Sequence, residues 1–184
     1  MYKYYLMTKN NCQELLLKSL NDYYNRNNNF KKIFSDIISG KHKLSLRLID
    51  WLVTHYARDN NIYYWYDKDN IYNEIPYNKE NMKKINVYLD YRAQLKSYTK
   101  LYFDTFRRHQ RISFYIDNDK MIETTLGQLN FFRWIFNNNI LLYVEKNYQL
   151  IYNNMIDFNK HNKKIKKNIN KQQIINTKSI LTFN

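Results

Sequence analysis

The sequence is short of glycine, proline, alanine and cysteine. Gly40, Gly127, Pro76, Ala57 and Ala93 are all it has of the first three in 184 residues. Two glycines so far apart cannot build a loop that cradles a phosphate, and no G-x-x-x-x-G-K-[ST], G-x-G-x-x-G or H-E-x-x-H stretch is present. The single cysteine, Cys12, excludes a disulfide framework and a cysteine-rich zinc site. Beside Leu15 and Leu16 it reads as a packed, inert thiol. No apolar run approaches ~18 residues, so no membrane span is expected. The opening Met-Tyr-Lys-Tyr-Tyr lacks the apolar stretch of a signal peptide. His42, His55, His109 and His161 do not stand at metal-ligand spacing. The expectation is therefore a protein that is not an enzyme and holds no cofactor and no metal.

What is abundant is asparagine (28), lysine (22), isoleucine (20) and tyrosine (19). These residues have AT-rich codons, whereas glycine, proline and alanine need GC-rich ones. The bias reads as that of an AT-rich genome, such as those of giant DNA viruses, some protists and some endosymbionts. Part of the net charge of +14 is then compositional. With 44% hydrophobic and 17% aromatic residues the chain can still bury a real core. Arginine is scarcer, and five of its eight positions fall between Arg92 and Arg133.

Periodicity predicts a mostly α fold: one compact helical domain over 1–158, with one or two small β-hairpins, and a basic C-terminal tail over 159–184. Helices are expected at about 12–25 (Leu15, Leu16, Leu20 inward), 30–39 (stopped by Gly40) and 46–58 (capped by Ser45). Ile62–Tyr66 and Ile71-Tyr72 read as a hairpin ending before Pro76, and 86–104 as a long helix with an apolar stripe of Tyr88, Tyr91, Leu95, Tyr98 and Tyr102. A second hairpin spans 112–124. Thr125-Leu126-Gly127-Gln128 reads as a capping box opening a helix to about 136. Asn137-Asn138-Asn139 then forms a turn into a last helix at 140–158. Beyond Asp157 there is no acidic residue, and seven lysines carry half the net charge, so the tail reads as a frayed basic helix.

Three stretches, Ile49–Asn60 (IDWLVTHYARDN), Tyr88–Arg108 (YLDYRAQLKSYTKLYFDTFRR) and Thr124–Phe136 (TTLGQLNFFRWIF), resemble a family of uncharacterised proteins encoded by giant nucleocytoplasmic DNA viruses of the mimivirus-like group. The resemblance covers about residues 46–145. It implies a viral origin and carries over no catalytic residue. It places the protein in the viral factory of the host cytoplasm or in the virion.

Several constellations stand out. Arg92, Lys96 and Lys100 fall at i, i+4 and i+8, on one helix face. With Arg107, Arg108, His109 and Arg111 they read as a basic ridge able to neutralise phosphates. Residues 125–157 have the outline of a helix-turn-helix, with Asn130, Arg133 and Asn137 as its polar stripe. Such an outline is also the ordinary way of joining two packed helices. Lys163, Lys164, Lys166 and Lys167 add a basic tail. These residues make DNA or RNA the expected partner, in transcription, genome handling or packaging. A second reading is a virion or assembly protein that binds other viral proteins through Tyr63, Tyr64, Trp65 and Tyr66. Strand neighbours alternate, so either Tyr63 and Trp65 or Tyr64 and Tyr66 must face outward. Asp67-Lys68-Asp69 reads as a turn, though with Asp50 and Asp59 it could hold a divalent metal. His55, near Trp51, reads as a half-buried imidazole.

Overall fold

The computed structural model describes residues 2–75, 77, 82–108, 110–117 and 119–177, and of 2–10 and 166–177 the backbone alone. The protein is mostly α, with two small antiparallel sheets. The chain divides into two compact units, Met1–Lys146 and Asn147–Asn184.

In the first unit, α1 (Tyr2–Arg26) is followed by α2 (Asn28–Ile38). Gly40 then takes φ +72, the left-handed backbone that glycine adopts at no steric cost. Ser45 caps α3 (Leu46–Trp51), its hydroxyl accepting from the Leu48 N–H at 3.2 Å. The expected regular helix over 46–58 widens into a π turn at Leu52–Tyr56 before the short α4 (Ala57–Asp59). That turn stacks His55 flat on Trp51, with ring centroids 4.2 Å apart.

β1 (Tyr63–Tyr66) is the centre of a sheet of order β2–β1–β3, flanked by β2 (Ile71–Tyr72) and β3 (Lys83–Asn86). β3 was not expected, because Lys-Lys-Ile-Asn has no β-prone run. It forms because β1 leaves an edge to be paired, with Tyr64 opposite Ile85 and Trp65 opposite Lys84. Asn86 caps α5 (Val87–Tyr98), accepting from the Leu89 N–H at 3.1 Å. β4 (Ile112–Tyr115) and β5 (Met121–Thr124) form the second hairpin as expected.

The core is organised by α6 (Leu126–Asn137). Leu129, Phe131, Phe132 and Ile135 are fully buried, so the helix is covered on nearly every side. Phe132 meets Phe34 of α2 edge-on at 5.1 Å, and Phe131 meets Phe103 at 5.7 Å. Tyr24 of α1 is buried and donates its hydroxyl to the Leu129 carbonyl at 2.9 Å. Thr125 caps the helix from the Gln128 N–H. The Gln128 side chain does not complete the reciprocal box; it accepts from the Thr124 hydroxyl and donates to the Thr105 carbonyl. Asn138 and Asn139 tie the turn after α6 to the first sheet. Tyr64 and Tyr66 donate to the Asn138 carbonyl and side-chain oxygen, and the Asn139 amide donates to the Asp67 carbonyl. α7 (Ile140–Lys146) closes the unit.

The second unit is α8 (Tyr148–Thr177), which runs without a break through 158/159. Among the described residues no helix is long and apolar enough to cross a membrane.

At the start of α6, Gly127 lies under the loop between α5 and β4. A Cβ there would stand 3.1 Å from the Asp104 carbonyl oxygen and 3.4 Å from that of Leu101. Both are backbone atoms and cannot rotate away. Gly127→Ala should therefore destabilise the protein by about 1–3 kcal/mol through overpacking, although helix propensity alone would make alanine better by about 0.5–1 kcal/mol. Urea unfolding of the two proteins checks the sign.

Candidate functional site

α5 ends at Tyr98, six residues earlier than the tyrosine pattern suggests, because Thr99 adopts φ +61 and turns the chain. Residues 99–108 form an irregular segment with two distinct halves. The inner half is pinned. Phe103 is fully buried, stacked near Tyr98 at 6.1 Å and edge-on to Trp134 at 5.7 Å. The Tyr102 carbonyl accepts from the Asn130 amide at 3.0 Å, and the Thr105 carbonyl from the Gln128 amide at 3.2 Å. The Thr105 hydroxyl donates to Asp50 Oδ1 of α3 at 3.1 Å.

The outer half stands in solvent. Phe106 is 57% exposed, an unusual place for a phenyl ring. It lines a surface hollow with Asp104, Arg107 and Arg108. The Asp104 carboxylate is engaged by the Phe106 N–H at 2.9 Å. The loop and α5 meet electrostatically at Tyr91. Burial raises that hydroxyl's pKa, Asp50 and Asp104 raise it further, and Arg92 on its own helix opposes them.

The ridge expected from the sequence is thus only partly assembled. Arg92 and Lys96 are exposed on one face of α5, whereas Lys100, also exposed, lies beyond the helix end. Leu95, expected in the core, is half-buried. Arg107 and Arg108 are exposed on the loop. Arg111 is paired with Glu123 across the second hairpin at 3.5 Å. His109 lies outside the described residues. The other ion pairs among the described residues are Lys43–Glu145, Arg58–Asp59 and Lys160–Asp157. Arg92, Lys96, Lys100, Arg107 and Arg108 therefore have no carboxylate partner among the described residues.

The expected helix-turn-helix outline has its second helix divided into α7 and α8. Asn130, placed on its polar stripe by the sequence, is 1% exposed and spent on Tyr102 and Arg133. Helical spacing could not reveal this, because it does not show that the 99–108 segment covers α6 at Asn130. Arg133 is half-buried between α1 and α5, and Asn137 is exposed. On the first sheet Tyr64 and Tyr66 face inward, so they are not surface anchors. Tyr63 and Trp65 face outward, with the Lys84 ammonium 5.0 and 5.5 Å from their rings. In the second unit Lys163 and Lys164 are exposed, and the Lys166 and Lys167 side chains lie outside the described residues.

Cys12 is exposed rather than packed, as is Leu15, because their side of α1 points away from the core. Asp67 is a turn residue, accepting from the Asp69 and Asn70 N–H groups and the Tyr72 hydroxyl. No group of three potential metal ligands occurs among the described residues. Burial lowers the pKa of His55.

Phe106 was missed at the sequence level. The available signal was an aromatic residue set directly before two arginines at the end of an over-long helical pattern.

A model for the family described as of unknown function (DUF7197) matches residues 6–182. The chain belongs to this DUF7197 family. It is 37% identical over 148 residues, 77% of its length, to "Uncharacterized protein L507" of Acanthamoeba polyphaga mimivirus. The chain matches about half (52%) of that relative's length. The viral likeness seen in three stretches between residues 46 and 145 thus extends over most of this DUF7197 protein. No solved structure matches it.

Asp50, which anchors the loop, generates a pH prediction. Its pKa is pushed up to about 6 from 3.8, chiefly by burial, with the Thr105 hydroxyl opposing and Asp104 adding to the rise. The stability contributed by the protonated form is full below the ordinary value and is lost as pH rises through about 6. The interval from 3.8 to about 6 corresponds to about 3 kcal/mol at most. Asp50→Asn retains an acceptor for Thr105 without the ionisation. Its unfolding free energy should fall less than the wild type's between about pH 4 and about pH 6. Parallel pH profiles would mean that the carboxylate ionises in place without cost.

Proposed function

We propose that this protein binds nucleic acid, with a preference for unpaired strands, through the 99–108 segment and the adjoining face of α5, and catalyses no reaction. The observation that carries the reading is Phe106, exposed and followed directly by the exposed Arg107 and Arg108, neither of which has a carboxylate within ion-pair distance among the described residues, although Asp104 lines the same hollow. An exposed ring offers a stacking surface to any base, and free arginines beside it neutralise the phosphates on either side. A duplex keeps its bases stacked on one another, so the ring favours a single strand. Phe103, Thr105 and their partners hold the loop from behind, which lowers the ordering cost of binding. Arg92 and Lys96 extend the cationic surface along α5, and Lys163 and Lys164 supply a second basic segment. Such a protein would serve transcription, genome handling or packaging, in the viral factory or in the virion.

The assembly reading ranks second. Of its four aromatic residues two are buried, and the outward pair already lies close to the Lys84 ammonium.

Fluorescence anisotropy with a labelled single strand and a duplex of mixed sequence tests the proposal. Affinity for the single strand should be the higher and should drop steeply between ~50 and ~200 mM salt. Phe106→Ala should cost about 1–3 kcal/mol of binding and leave the salt slope unchanged. Arg107→Glu with Arg108→Glu should weaken binding and flatten the slope by about two. Absence of binding at ~50 mM salt would overturn the reading. Equal affinity for strand and duplex would remove Phe106 from it.

A further inference from the structure

Arg133 occupies a second site, separate from the loop. Its guanidinium is half-buried and has no carboxylate within ion-pair distance among the described residues. Three neutral oxygens hold it instead. Nη1 donates to Ser19 Oγ at 3.1 Å, and Nη2 donates to the Tyr98 hydroxyl at 3.2 Å and to Asn130 Oδ1 at 2.6 Å. These contacts come from α1, α5 and α6, so the group is fixed before any ligand arrives. They use three of its five N–H groups. The Ser19 and Tyr98 oxygens act as acceptors here, which leaves both hydroxyl hydrogens to donate.

A partly desolvated arginine normally finds a carboxylate. Around this one the protein gathers further positive charge. The cleft between α1 and α6 is lined by Leu15, Lys18, Ser19, Asp22, Tyr23 and Arg26, besides Asn27 and Arg133, and holds about 530 Å³. Lys18 and Arg26 are exposed along its rim and have no ion-pair partner among the described residues. Among the described residues, three cations thus line the cleft with a single carboxylate, Asp22. The Tyr23 hydroxyl, pushed up to about 12 chiefly by burial and lowered somewhat by Arg133, stays a neutral donor to Asn137 Oδ1. On its far side Arg133 lines a smaller polar hollow with Gln94, Tyr98, Asn130 and Asn137.

We propose that this cleft binds a terminal phosphate, a phosphate monoester or diphosphate, whose charge matches the local excess of two cations. A fixed guanidinium with hydroxyl donors beside it suits a compact tetrahedral anion. Its position between two helices suits an end group rather than the middle of a strand. The proposal does not rest on the nucleic-acid reading, because a small phosphorylated molecule presents the same group as a 5′-phosphorylated strand.

Thermal unfolding of the full chain in sodium pyrophosphate, against sodium chloride at equal ionic strength, gives the first readout. Pyrophosphate at about 10 mM should raise the Tm by several degrees over the chloride control. Arg133→Gln should abolish the rise. Because that variant also alters contacts that join three helices, Lys18→Glu with Arg26→Glu is the decisive pair. Both side chains are exposed on the rim, so the Tm without ligand should change little. Calorimetric titration should show pyrophosphate affinity lowered about tenfold or more. Two further arms separate the sources. A 5′-phosphorylated hexanucleotide that displaces pyrophosphate where its 5′-hydroxyl counterpart does not identifies a strand end. Displacement by a mononucleotide but by neither strand identifies a small molecule. No pyrophosphate effect on the wild type, or full affinity in the Lys18→Glu, Arg26→Glu variant, overturns the proposal.

Discussion

The burial of α6 is the constraint on which the rest of the first unit depends. A helix with Leu129, Phe131, Phe132 and Ile135 fully buried needs partners on several sides, and its neighbours supply them. Tyr24 and Phe34 cover one side, Phe103 and Tyr91 another, and the first sheet reaches the turn at its C-terminal end. Aromatic side chains make this arrangement work. They bury large areas, and their edge-to-face contacts add a directional preference that aliphatic packing lacks.

The same constraint sets the geometry of the basic loop. After α5 the chain must pass close over the start of α6, close enough that Gly127 has no room for a side chain. Residues 101–105 therefore become part of the core, tied down by Asn130, Gln128 and Asp50. The next three residues are pushed outward. Phe106, Arg107 and Arg108 are presented from a fixed base, which is why three consecutive exposed side chains share one hollow. The Asp50 carboxyl that accepts from Thr105 is raised in pKa chiefly by its burial, with the Thr105 hydroxyl opposing the rise.

Charge obeys a separate logic. Few of the cations among the described residues are neutralised within the protein. A lysine excess from codon bias would leave such cations scattered at random. Around the loop the cations stand beside an exposed ring, and Arg133 stands beside the hydroxyls of Ser19 and Tyr98.

The sequence by itself determined the mostly α class, the Ser45 and Thr125 caps, the two hairpins, the asparagine turn and the likeness to proteins of giant DNA viruses. These features are local, set by caps, periodicity and turn chemistry within a few residues. It also established that Tyr63 and Trp65 must lie on the face opposite Tyr64 and Tyr66. Only the tertiary structure decided which pair faces out, because that depends on the Asn138 acceptors 72–74 residues away. It likewise ended α5 at Tyr98, left Lys100 beyond the helix end, buried Asn130 and exposed Cys12. Helical spacing gives the direction of a side chain but not what lies there. An asparagine on a polar stripe reads the same whether it faces water or, as Asn130 does on α6, the carbonyl of Tyr102.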